Sequence, residues 1–512
     1  MENNLIAAID VGSHALRMKI GEIDEEGNFK ELESLRKTAV LGHDTFNDGK
    51  ISFESVDTVC NILKMFKKCM KDYRITDYKA MATSAIREAE NKDYIIDQIK
   101  LKTGLDIKVI DNAREQYLTH KAIKRKIDDF DSLIEKGVVM VVIGAGSIQI
   151  TLYKNSQLIS SQNVKLGALR VKEVLGDLER ESFSYYKILE EYIRVNIESI
   201  DFFKRSNDYN HFIAVGGEIT TISKLINEEH IEQDIIYINR KQFEILYKEF
   251  LHKSTEEILE YNIERERAEI IIPSMMLFKK FLDKSRTDKI LVPNITLSDG
   301  IIMDIYEEKY NLDKEEMSLK DIFTCVKNIA KKYDYNKEHS LEVEKNAKII
   351  FDNCKDIHGL VSERHLLRIA AILHDIGKYI SVYNTHILSY TIIKSIEIFG
   401  ISNEQLEIIA NVARYNSVET PSIRDINFGK LSNKNKVIVG KLAAILRLAN
   451  ALDKSHNQKI EIISVKRRNK QLIIYGKSSA NTMLEMWTFK KKAEFFKEVF
   501  GITPILIIKK EI

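Results

Sequence analysis

The 512-residue sequence predicts an α/β region of two similar halves, followed by an all-helical region and a small C-terminal α/β segment. Three observations support this fold class. Apolar, β-branched runs that end at glycine turns alternate with amphipathic helical patterns through about the first 310 residues. The order strand, glycine turn, strand occurs at the start of the chain and again after residue 137. From about residue 315 the apolar spacing becomes helical almost throughout.

The composition is typical of a soluble globular protein, with 44% hydrophobic and 30% charged residues. The 78 basic and 76 acidic residues nearly cancel, so we expect no nucleic-acid partner. No apolar run approaches the roughly 20 residues that span a bilayer, so we expect no membrane partner. The four cysteines are scattered and the N-terminus lacks signal-peptide features, which predicts free thiols and a cytoplasmic location.

The first half, residues 1–125, begins with a strand, a turn at Gly12-Ser13 and a second strand in LIAAIDVGSHALRMKIGEI. An amphipathic helix is predicted in SFESVDTVCNILKMFKKCMKDY, followed by a strand in YKAMATSA and a helix from about Ile86. The short strand GLDIKVID then precedes a helical stretch through REQYLTHKAIKRK.

The second half, residues 126–310, repeats this order in GVVMVVIGAGSIQITLYKN, with its turn at residues 144–147. The segment HFIAVGGEITTIS adds a third glycine turn at Gly216-Gly217. Because glycine lets backbone N–H groups approach an anion closely, the three turns suggest a phosphate site in a cleft between two lobes. A simple hairpin is the alternative for any one turn taken alone.

The C-terminal regions show other sequence patterns than the two halves. Residues 315–457 are predicted to be helical, from SLKDIFTCVKNIAKKY to VGKLAAILRLANALDKSH. Residues 458–512 predict a hairpin around Arg468-Asn469, then a charged helix and a closing strand, TPILIIKK.

Seven segments between about residues 5 and 305 carry a family resemblance: AAIDVGSHALRM, ATSAIREAEN, VIDNAREQYL, IGAGS, KLGALRV, AVGGEITTIS and LSDG. In this order they resemble the Ppx/GppA family of exopolyphosphatases and guanosine pentaphosphate phosphohydrolases. One glycine loop alone is a weak signal, whereas the ordered set is a strong one. The resemblance implies a two-lobed, actin-like (ribonuclease H-like) fold and a homodimer.

The resemblance also implies roles for single residues. Asp10 is expected to hold Mg²⁺, with Mn²⁺ as an alternative and Gln149 as a weakened neighbour. Glu115 is expected to act as the base that activates water, and the adjacent Arg114 to lower its basicity. The residues expected to contact phosphate are Gly12, Ser13, His14, Arg87, Gly144, Ala145, Gly146, Ser147, Gly216 and Gly217.

The helical region resembles the HD-type domain appended to many members of this family, through EHSLEVEKNAKIIFD, LLRIAAILHDIGKYIS, IIANVARY and LAAILRLANALDKSH. The resemblance implies a divalent metal on His339, His374 and Asp375. His386 fits one member of a following histidine pair. At three other positions the expected metal ligands are replaced, by Leu388, Asn416 and Asn450. Asp453 is an acid, but it lies one helical turn beyond Asn450. A hydrogen-bonded, helix-packing role for these residues is the alternative.

Several substitutions in the first 310 residues remove groups that would hold metal or phosphate. They are Val142 and Gln149 around the second loop, Glu218 after the third, and Met303 after LSDG. Two functions therefore stay open. The first is a phosphohydrolase, with reduced activity, that releases orthophosphate from polyphosphate or converts pppGpp to ppGpp. The second is a catalytically degenerate regulatory protein that binds polyphosphate or a guanosine alarmone. An actin-like ATPase or sugar kinase is a weaker third hypothesis, because no adenine-side motif is recognisable.

Overall fold

The computed structural model describes residues 4–181, 185–198, 200–204, 209–227, 234–310, 316–417 and 419–510. It divides into two compact units, Met1–Ser318 and Leu319–Ile512. In the described ranges, no helix is both long enough and apolar enough to cross a membrane.

The first lobe of the first unit is a five-stranded sheet with helices packed on it. Its elements are β1 (Leu5–Val11), β2 (Ala15–Ile23), β3 (Phe29–Thr38), α1 (Leu41–Asp48), α2 (Phe53–Asp72), β4 (Asp77–Ala82), α3 (Ser84–Glu88), α4 (Lys92–Thr103), β5 (Ile107–Val109) and α5 (Asn112–Lys126). The strand order is β3-β2-β1-β4-β5, with β1 to β3 antiparallel and β4 and β5 parallel to β1. The sequence did not predict β3, because this edge strand is largely exposed and lacks an apolar run.

The second lobe is a six-stranded sheet with its own helices. Its elements are α6 (Phe130–Lys136), β6 (Val138–Ile143), β7 (Ile148–Lys154), β8 (Gln157–Val164), α7 (Ala168–Glu181), α8 (Tyr185–Ile197), α9 (Asp201–Lys204), β9 (His211–Val215), α10 (Gly217–Ile226), β10 (Ile235–Asn239), α11 (Arg240–Phe250), α12 (Thr255–Leu259), α13 (Arg265–Leu282) and β11 (Lys289–Pro293). The strand order is β10-β11-β9-β6-β7-β8.

The two sheets share one connectivity. In the second sheet β6 to β8 are antiparallel, β9 is parallel to β6, and β11 is parallel to β9. The order β8-β7-β6-β9-β11 therefore corresponds to β3-β2-β1-β4-β5, and β10 is an antiparallel addition at one edge. This correspondence confirms the prediction of two similar α/β halves.

The central strands explain where the glycine turns lie. β1 and β6 are almost completely buried, because strands in the middle of a helix-covered sheet are apolar on both faces. Each of them runs directly into a glycine turn at its carboxyl end. β4 and β9, which are parallel to them, end at the same edges. The carboxyl edges of the two sheets therefore carry the loops that can bind a ligand.

The chain returns to the first lobe after β11. The helix α14 (Leu297–Lys309) packs against β1 and α5. Its residues Ile301, Ile302 and Ile305 are buried in an apolar cluster on that face of the first sheet. The two lobes are therefore joined by α14 as well as by the connection through α6.

The second unit is mainly helical and ends in a small sheet. Its elements are α15 (Glu316–Lys332), α16 (Lys337–Asp352), α17 (Lys355–His358), α18 (Arg364–Leu373), a 3₁₀ turn (Ile376–Tyr379), α19 (Thr385–Ser395), α20 (Asn403–Arg414), α21 (Ile426–Gly429), α22 (Asn433–Ala451), β12 (Glu461–Arg468), β13 (Gln471–Ser478), α23 (Met483–Phe500) and β14 (Thr503–Lys510). The predicted hairpin is confirmed: β12 and β13 are antiparallel, Asn469 in the turn has φ +52°, and β14 adds parallel to β13.

Candidate functional site

The three glycine turns line one cleft of the first unit, with a cavity volume of about 540 Å³. They come from both lobes, at the ends of β1, β6 and β9. Every residue predicted for the three turns lines the cavity, and so do Asp10, Glu115 and Gln149. The structure thus brings together most of the candidate site residues, although they are spread over more than 200 positions of sequence.

The first two turns are built alike. In the first, the N–H of Gly12 donates to the carbonyl oxygen of Ala15 at 3.2 Å. In the second, Gly144 donates in the same way to Ser147 at 3.0 Å. Each turn closes an antiparallel hairpin, so its flanking residues face one another across the two strands.

The same hairpin register shows which positions correspond between the lobes. Asp10 is paired with Arg17 in the first hairpin, and Val142 is paired with Gln149 in the second. The position of the acid in the first lobe is therefore occupied by an apolar side chain in the second.

At two positions of these turns the backbone lies so close to other atoms that only glycine fits. A Cβ on Gly146 would lie 2.5 Å from the Oγ of Ser84, which belongs to the first lobe. Gly216 has φ +148°, and a Cβ there would lie 2.4 Å from the carbonyl oxygen of Ile143. Ser84 is in turn fixed by Ser13, whose Oγ lies 2.7 Å from its own. The turns are therefore packed at distances that a larger residue would not allow.

Asp10 is a buried carboxyl group at the base of the cleft. Its Oδ2 lies 3.4 Å from Nη1 of Arg17, and no described residue makes a hydrogen bond to its Oδ1. Burial raises the pKa of Asp10 to about 6, with Arg17 opposing this shift and Glu115 adding to it. The Oε1 of Gln149 is also buried and has no partner among the described residues. Two oxygens without partners in one cleft fit a hard cation such as Mg²⁺.

Glu115 reaches the cleft from the first turn of α5. Asp111 caps this helix by accepting a hydrogen bond from the N–H of Arg114 at 2.9 Å. The Oε2 of Glu115 accepts a hydrogen bond from Nη1 of Arg87, also at 2.9 Å. Arg87 is not part of the cavity lining; it lies behind Glu115 and also donates to the carbonyl oxygen of Ile110.

Arg114, the guanidinium expected beside Glu115, is bound elsewhere. The guanidinium of Arg114 is bound to the buried carboxylate of Asp304 on α14, and Lys79 binds the same carboxylate. The charge that contacts Glu115 is that of Arg87. The reason is helical geometry, because consecutive residues of a helix point about 100° apart and do not share a face.

Sequence reasoning missed a row of arginines in the cleft. Arg17 on β2 is paired with Arg36 on β3, and Arg267 on α13 lies opposite them. Nη1 of Arg267 donates to the carbonyl oxygen of Gly217 at 2.9 Å. Arg17 could have been predicted, because the hairpin pairs it with Asp10. No local sequence pattern indicated that Arg36 and Arg267 would lie in the cleft.

His14 lies among these arginines. Burial, and then the charges of Arg36, Arg17 and Arg267, lower the pKa of His14 to about 4. Both of its ring nitrogens are buried without a hydrogen-bond partner in the described part of the chain. A neutral, donor-capable side chain between guanidinium groups fits the oxygens of an anion.

Glu218 and Met303, two of the positions that depart from the family pattern, lie in different surroundings from one another. Glu218 is buried, lines the cleft and lies in the first turn of α10, where a carboxylate is favoured by the helix dipole. Met303 lies on α14 and packs against the apolar cluster around Ile6 and Ala8. Met303 is outside the cavity lining, so the charge expected there is replaced by a core contact.

The second unit contains a cluster of histidines and carboxylates. His339 in the first turn of α16 and His374 at the end of α18 have ring centroids 5.3 Å apart. Asp375 follows directly, and its Oδ1 lies 3.6 Å from Nε2 of His374. One further member was not predicted: His456, after α22, stacks on His339 with ring centroids 3.7 Å apart.

Three other positions of the predicted HD-type set have partners outside this cluster. Asn450 donates from Nδ2 to the Oδ1 of Asn416 at 3.0 Å, so these two replacements bind one another. His386 lies 3.5 Å from the carboxylate of Glu419.

Comparison with known proteins identifies the family. Residues 20–309 match the Ppx/GppA phosphatase family, and residues 323–493 match domain III of Ppx/GppA phosphatases. A bifunctional 3-dehydroquinate synthase/phosphatase of Fusobacterium nucleatum is 24% identical over 325 residues, which cover 60% of this chain. A guanosine-5'-triphosphate,3'-diphosphate pyrophosphatase of Photobacterium profundum is 19% identical over 477 residues, 90% of each chain.

One solved structure shows the shared fold. An exopolyphosphatase from Cytophaga hutchinsonii superposes with a TM-score of 0.52 at 20% identity, covering 59% of this chain and 98% of that one. The aligned region spans 47% of the F. nucleatum protein, about half its length. With both family matches spanning most of its length, the chain belongs to the Ppx/GppA phosphatase family and has its two-lobed, actin-like fold.

Proposed function

We propose that this chain is a phosphohydrolase that releases terminal orthophosphate from inorganic polyphosphate, or converts pppGpp to ppGpp. One observation carries the proposal: three glycine turns, Asp10, Glu115 and three arginines line a single cleft between two lobes. Backbone N–H groups and guanidinium groups are the donors that bind phosphate oxygens. The names of the two relatives, a bifunctional synthase/phosphatase and a guanosine-5'-triphosphate,3'-diphosphate pyrophosphatase, agree with this chemistry.

Different residues of the cleft have different roles in hydrolysis. The glycine turns donate hydrogen bonds to the phosphoryl oxygens, and Arg17 and Arg267 neutralise their charge. Glu115, held in orientation by Arg87, takes a proton from the attacking water. A new P–O bond to that water forms as the bridging P–O bond breaks, and the leaving phosphate chain carries away the electron pair.

A divalent cation fits this scheme. Asp10 and Gln149 would hold Mg²⁺ or Mn²⁺ through their oxygens without partners. When bound, the cation supplies further neutralisation of phosphate charge. The two hairpins offer one carboxylate and one amide, because Val142 stands at the position corresponding to Asp10, so we expect weak cation binding.

The decisive experiment measures phosphate release from long-chain polyphosphate and from pppGpp during Mg²⁺ and Mn²⁺ titrations. Glu115→Gln should lower kcat by about 10²–10⁴-fold without loss of fold, because it removes the base but keeps the shape. Glu260→Gln, an exposed glutamate outside the cleft, is the matched control and should keep full activity.

Two outcomes would contradict the proposal. Turnover of Glu115→Gln at the wild-type rate would remove Glu115 from its role. No release from either substrate, with calorimetry still showing that one of them binds, would favour the regulatory binding protein. The names of the relatives do not favour that alternative.

We also propose that the protein acts in the cytoplasm as a homodimer. The family resemblance supports the homodimer, and the free cysteines support a reducing compartment. Light scattering after size-exclusion chromatography should give twice the chain mass of 59.2 kDa. A mass of one chain at all concentrations would contradict the homodimer.

A further inference from the structure

The histidine cluster of the second unit has features that helix packing alone does not explain. His339 and His374 are each only 1% exposed. In both rings Nε2 is buried and has no hydrogen-bond partner among the described residues. A buried polar atom without a partner is unfavourable, so two of them in one cluster indicate a missing ligand.

The hydrogen bonds of His339 set the direction of its lone pair. Its Nδ1 lies 2.8 Å from the Oδ2 of Asp453, a carboxylate that can only accept. Nδ1 therefore carries the proton, and Nε2 presents a lone pair to the cluster. Asp453 is itself held by Gln458, which donates to it from its backbone N–H and from its side chain. A carboxylate behind a histidine is the usual support of a metal-binding imidazole.

His374 is arranged in the same way. Its Nδ1 donates to the carbonyl oxygen of Ala371 at 2.7 Å, so its Nε2 also presents a lone pair. This Nε2 faces the Oδ1 of Asp375 at 3.6 Å. The other oxygen of Asp375 is bound by the ammonium group of Lys378. One carboxylate oxygen thus stays directed toward the imidazoles.

His456 lies where it can close the cluster. Ligand atoms of His339, Asp375 and His456 lie within 4.8 Å of one another. His456 has φ +58°, a conformation that is rare for residues other than glycine and that concentrates at functional sites. The residue expected to supply the last acid, Asn450, is instead bound to Asn416.

We propose that His456 completes a divalent transition-metal site with His339, His374 and Asp375. Three imidazoles and one carboxylate favour Zn²⁺, Co²⁺ or a similar ion over Mg²⁺, which prefers oxygen ligands. Metal–nitrogen distances of about 2.0–2.1 Å place neighbouring ligand atoms about 3.3 Å apart. Binding therefore draws the ligand atoms together and turns the ring of His456 out of its stack on His339.

The test uses the full chain after removal of metal with a chelator. Co²⁺ is titrated while visible absorption is recorded, and Zn²⁺ binding is measured by calorimetry. We expect one equivalent of metal and a Co²⁺ spectrum with nitrogen ligands. His456→Asn should weaken binding by about tenfold or more and change the spectrum. Asparagine tolerates a positive φ, so this variant should keep its fold.

Two controls separate this site from other sites. His252→Asn alters an exposed histidine of the first unit, outside the cleft, and should bind metal like the wild type. Glu260→Gln removes an exposed carboxylate outside the cleft and should also leave Co²⁺ binding unchanged. Asp375→Asn, whose side chain is nearly the same size, is a second variant within the site and should weaken binding as His456→Asn does.

The proposal fails if the wild type binds no stoichiometric metal. It also fails if His456→Asn binds Co²⁺ with wild-type affinity and spectrum, because His456 would then be only a packing residue. Equal loss in His252→Asn would likewise contradict it, since binding would then depend on histidines in general.

Discussion

At the scale of single residues, the two hairpins of the first unit differ most at one pair of positions. Asp10 faces Arg17 across the first hairpin, whereas Val142 faces Gln149 across the second. The connectivity of the two lobes is the same, but only the first hairpin carries an acid at this position. The capacity to hold a cation is therefore asymmetric.

Restoring the acid should restore cation binding. We expect Val142→Asp to tighten Mn²⁺ binding by about tenfold, because affinity for hard cations rises with the number of carboxylate ligands. Electron paramagnetic resonance of free Mn²⁺ measures this directly, without reference to turnover. Val142→Asn, of equal size but uncharged, is the control; equal binding by both variants would show that charge at this position is irrelevant.

Arg87 and Arg114 show why neighbouring residues cannot be assigned by adjacency. Arg114 precedes Glu115 in sequence but binds Asp304, while Arg87, 28 positions away, binds Glu115. Both arginines satisfy buried or half-buried carboxylates, and unpaired charges in such positions are costly. Their partners follow from packing, which the local sequence does not encode.

At the scale of elements, the second glycine turn is one place where the lobes touch. A Cβ on Gly146 would meet Ser84 at 2.5 Å and the ring of Phe46 at 2.9 Å, both in the first lobe. The same atom on Gly144 would meet its nearest neighbour at 3.6 Å, an ordinary contact.

This contrast gives a matched pair of variants. Gly146→Ala should cost about 1–3 kcal/mol of stability, as overpacked substitutions do, and weaken polyphosphate binding because it separates the lobes. Gly144→Ala should change stability little, because a Cβ there meets only an ordinary contact. Urea unfolding and calorimetry would measure them, and similar effects of the two substitutions would contradict the proposed contact.

A second element-scale contact joins α5 to β7. His120 on α5 is buried, stacks on Tyr153 of β7, and lies 2.8 Å from the Tyr153 hydroxyl through its Nε2. Burial, and secondarily Lys124, lower the pKa of His120 to about 3. This ring therefore stays neutral in the folded chain at every pH near neutrality.

The lowered pKa predicts acid sensitivity. Between pH 6.5 and about 3 the unfolded chain binds a proton at His120 that the folded chain does not, so stability falls as pH falls. The slope from this group approaches about 1.4 kcal/mol per pH unit. Urea unfolding of wild type and His120→Gln at pH 4.5–6.5 should show a shallower pH dependence in the variant. Parallel curves would contradict the prediction.

At the scale of the whole molecule, the chain consists of two compact units, and the proposed sites lie one in each. The cleft belongs to Met1–Ser318 and the histidine cluster to Leu319–Ile512. Each unit has its own buried apolar residues. A ligand that binds only the folded form of one unit should stabilise that unit.

Calorimetric unfolding should separate these effects. Polyphosphate with Mg²⁺ should raise the unfolding temperature of the first unit, and Co²⁺ should raise that of the second. Each ligand should add about 2.7 kcal/mol to the free energy of unfolding of its unit at a hundredfold excess over Kd. Asp10→Asn should remove only the first effect, and His456→Asn only the second. Loss of both effects in either variant would show that the two sites are coupled.

The sequence by itself determined the repeated order of strands, the glycine turns and the family, because these depend on apolar periodicity and turn chemistry within short segments. It also predicted most of the cleft, since Asp10, Glu115 and the turns carry local signals. Only the tertiary structure decided the places of Arg36, Arg267 and His456. These residues reach their sites through strand register and helix packing between distant segments, and no short stretch of sequence specifies such distances.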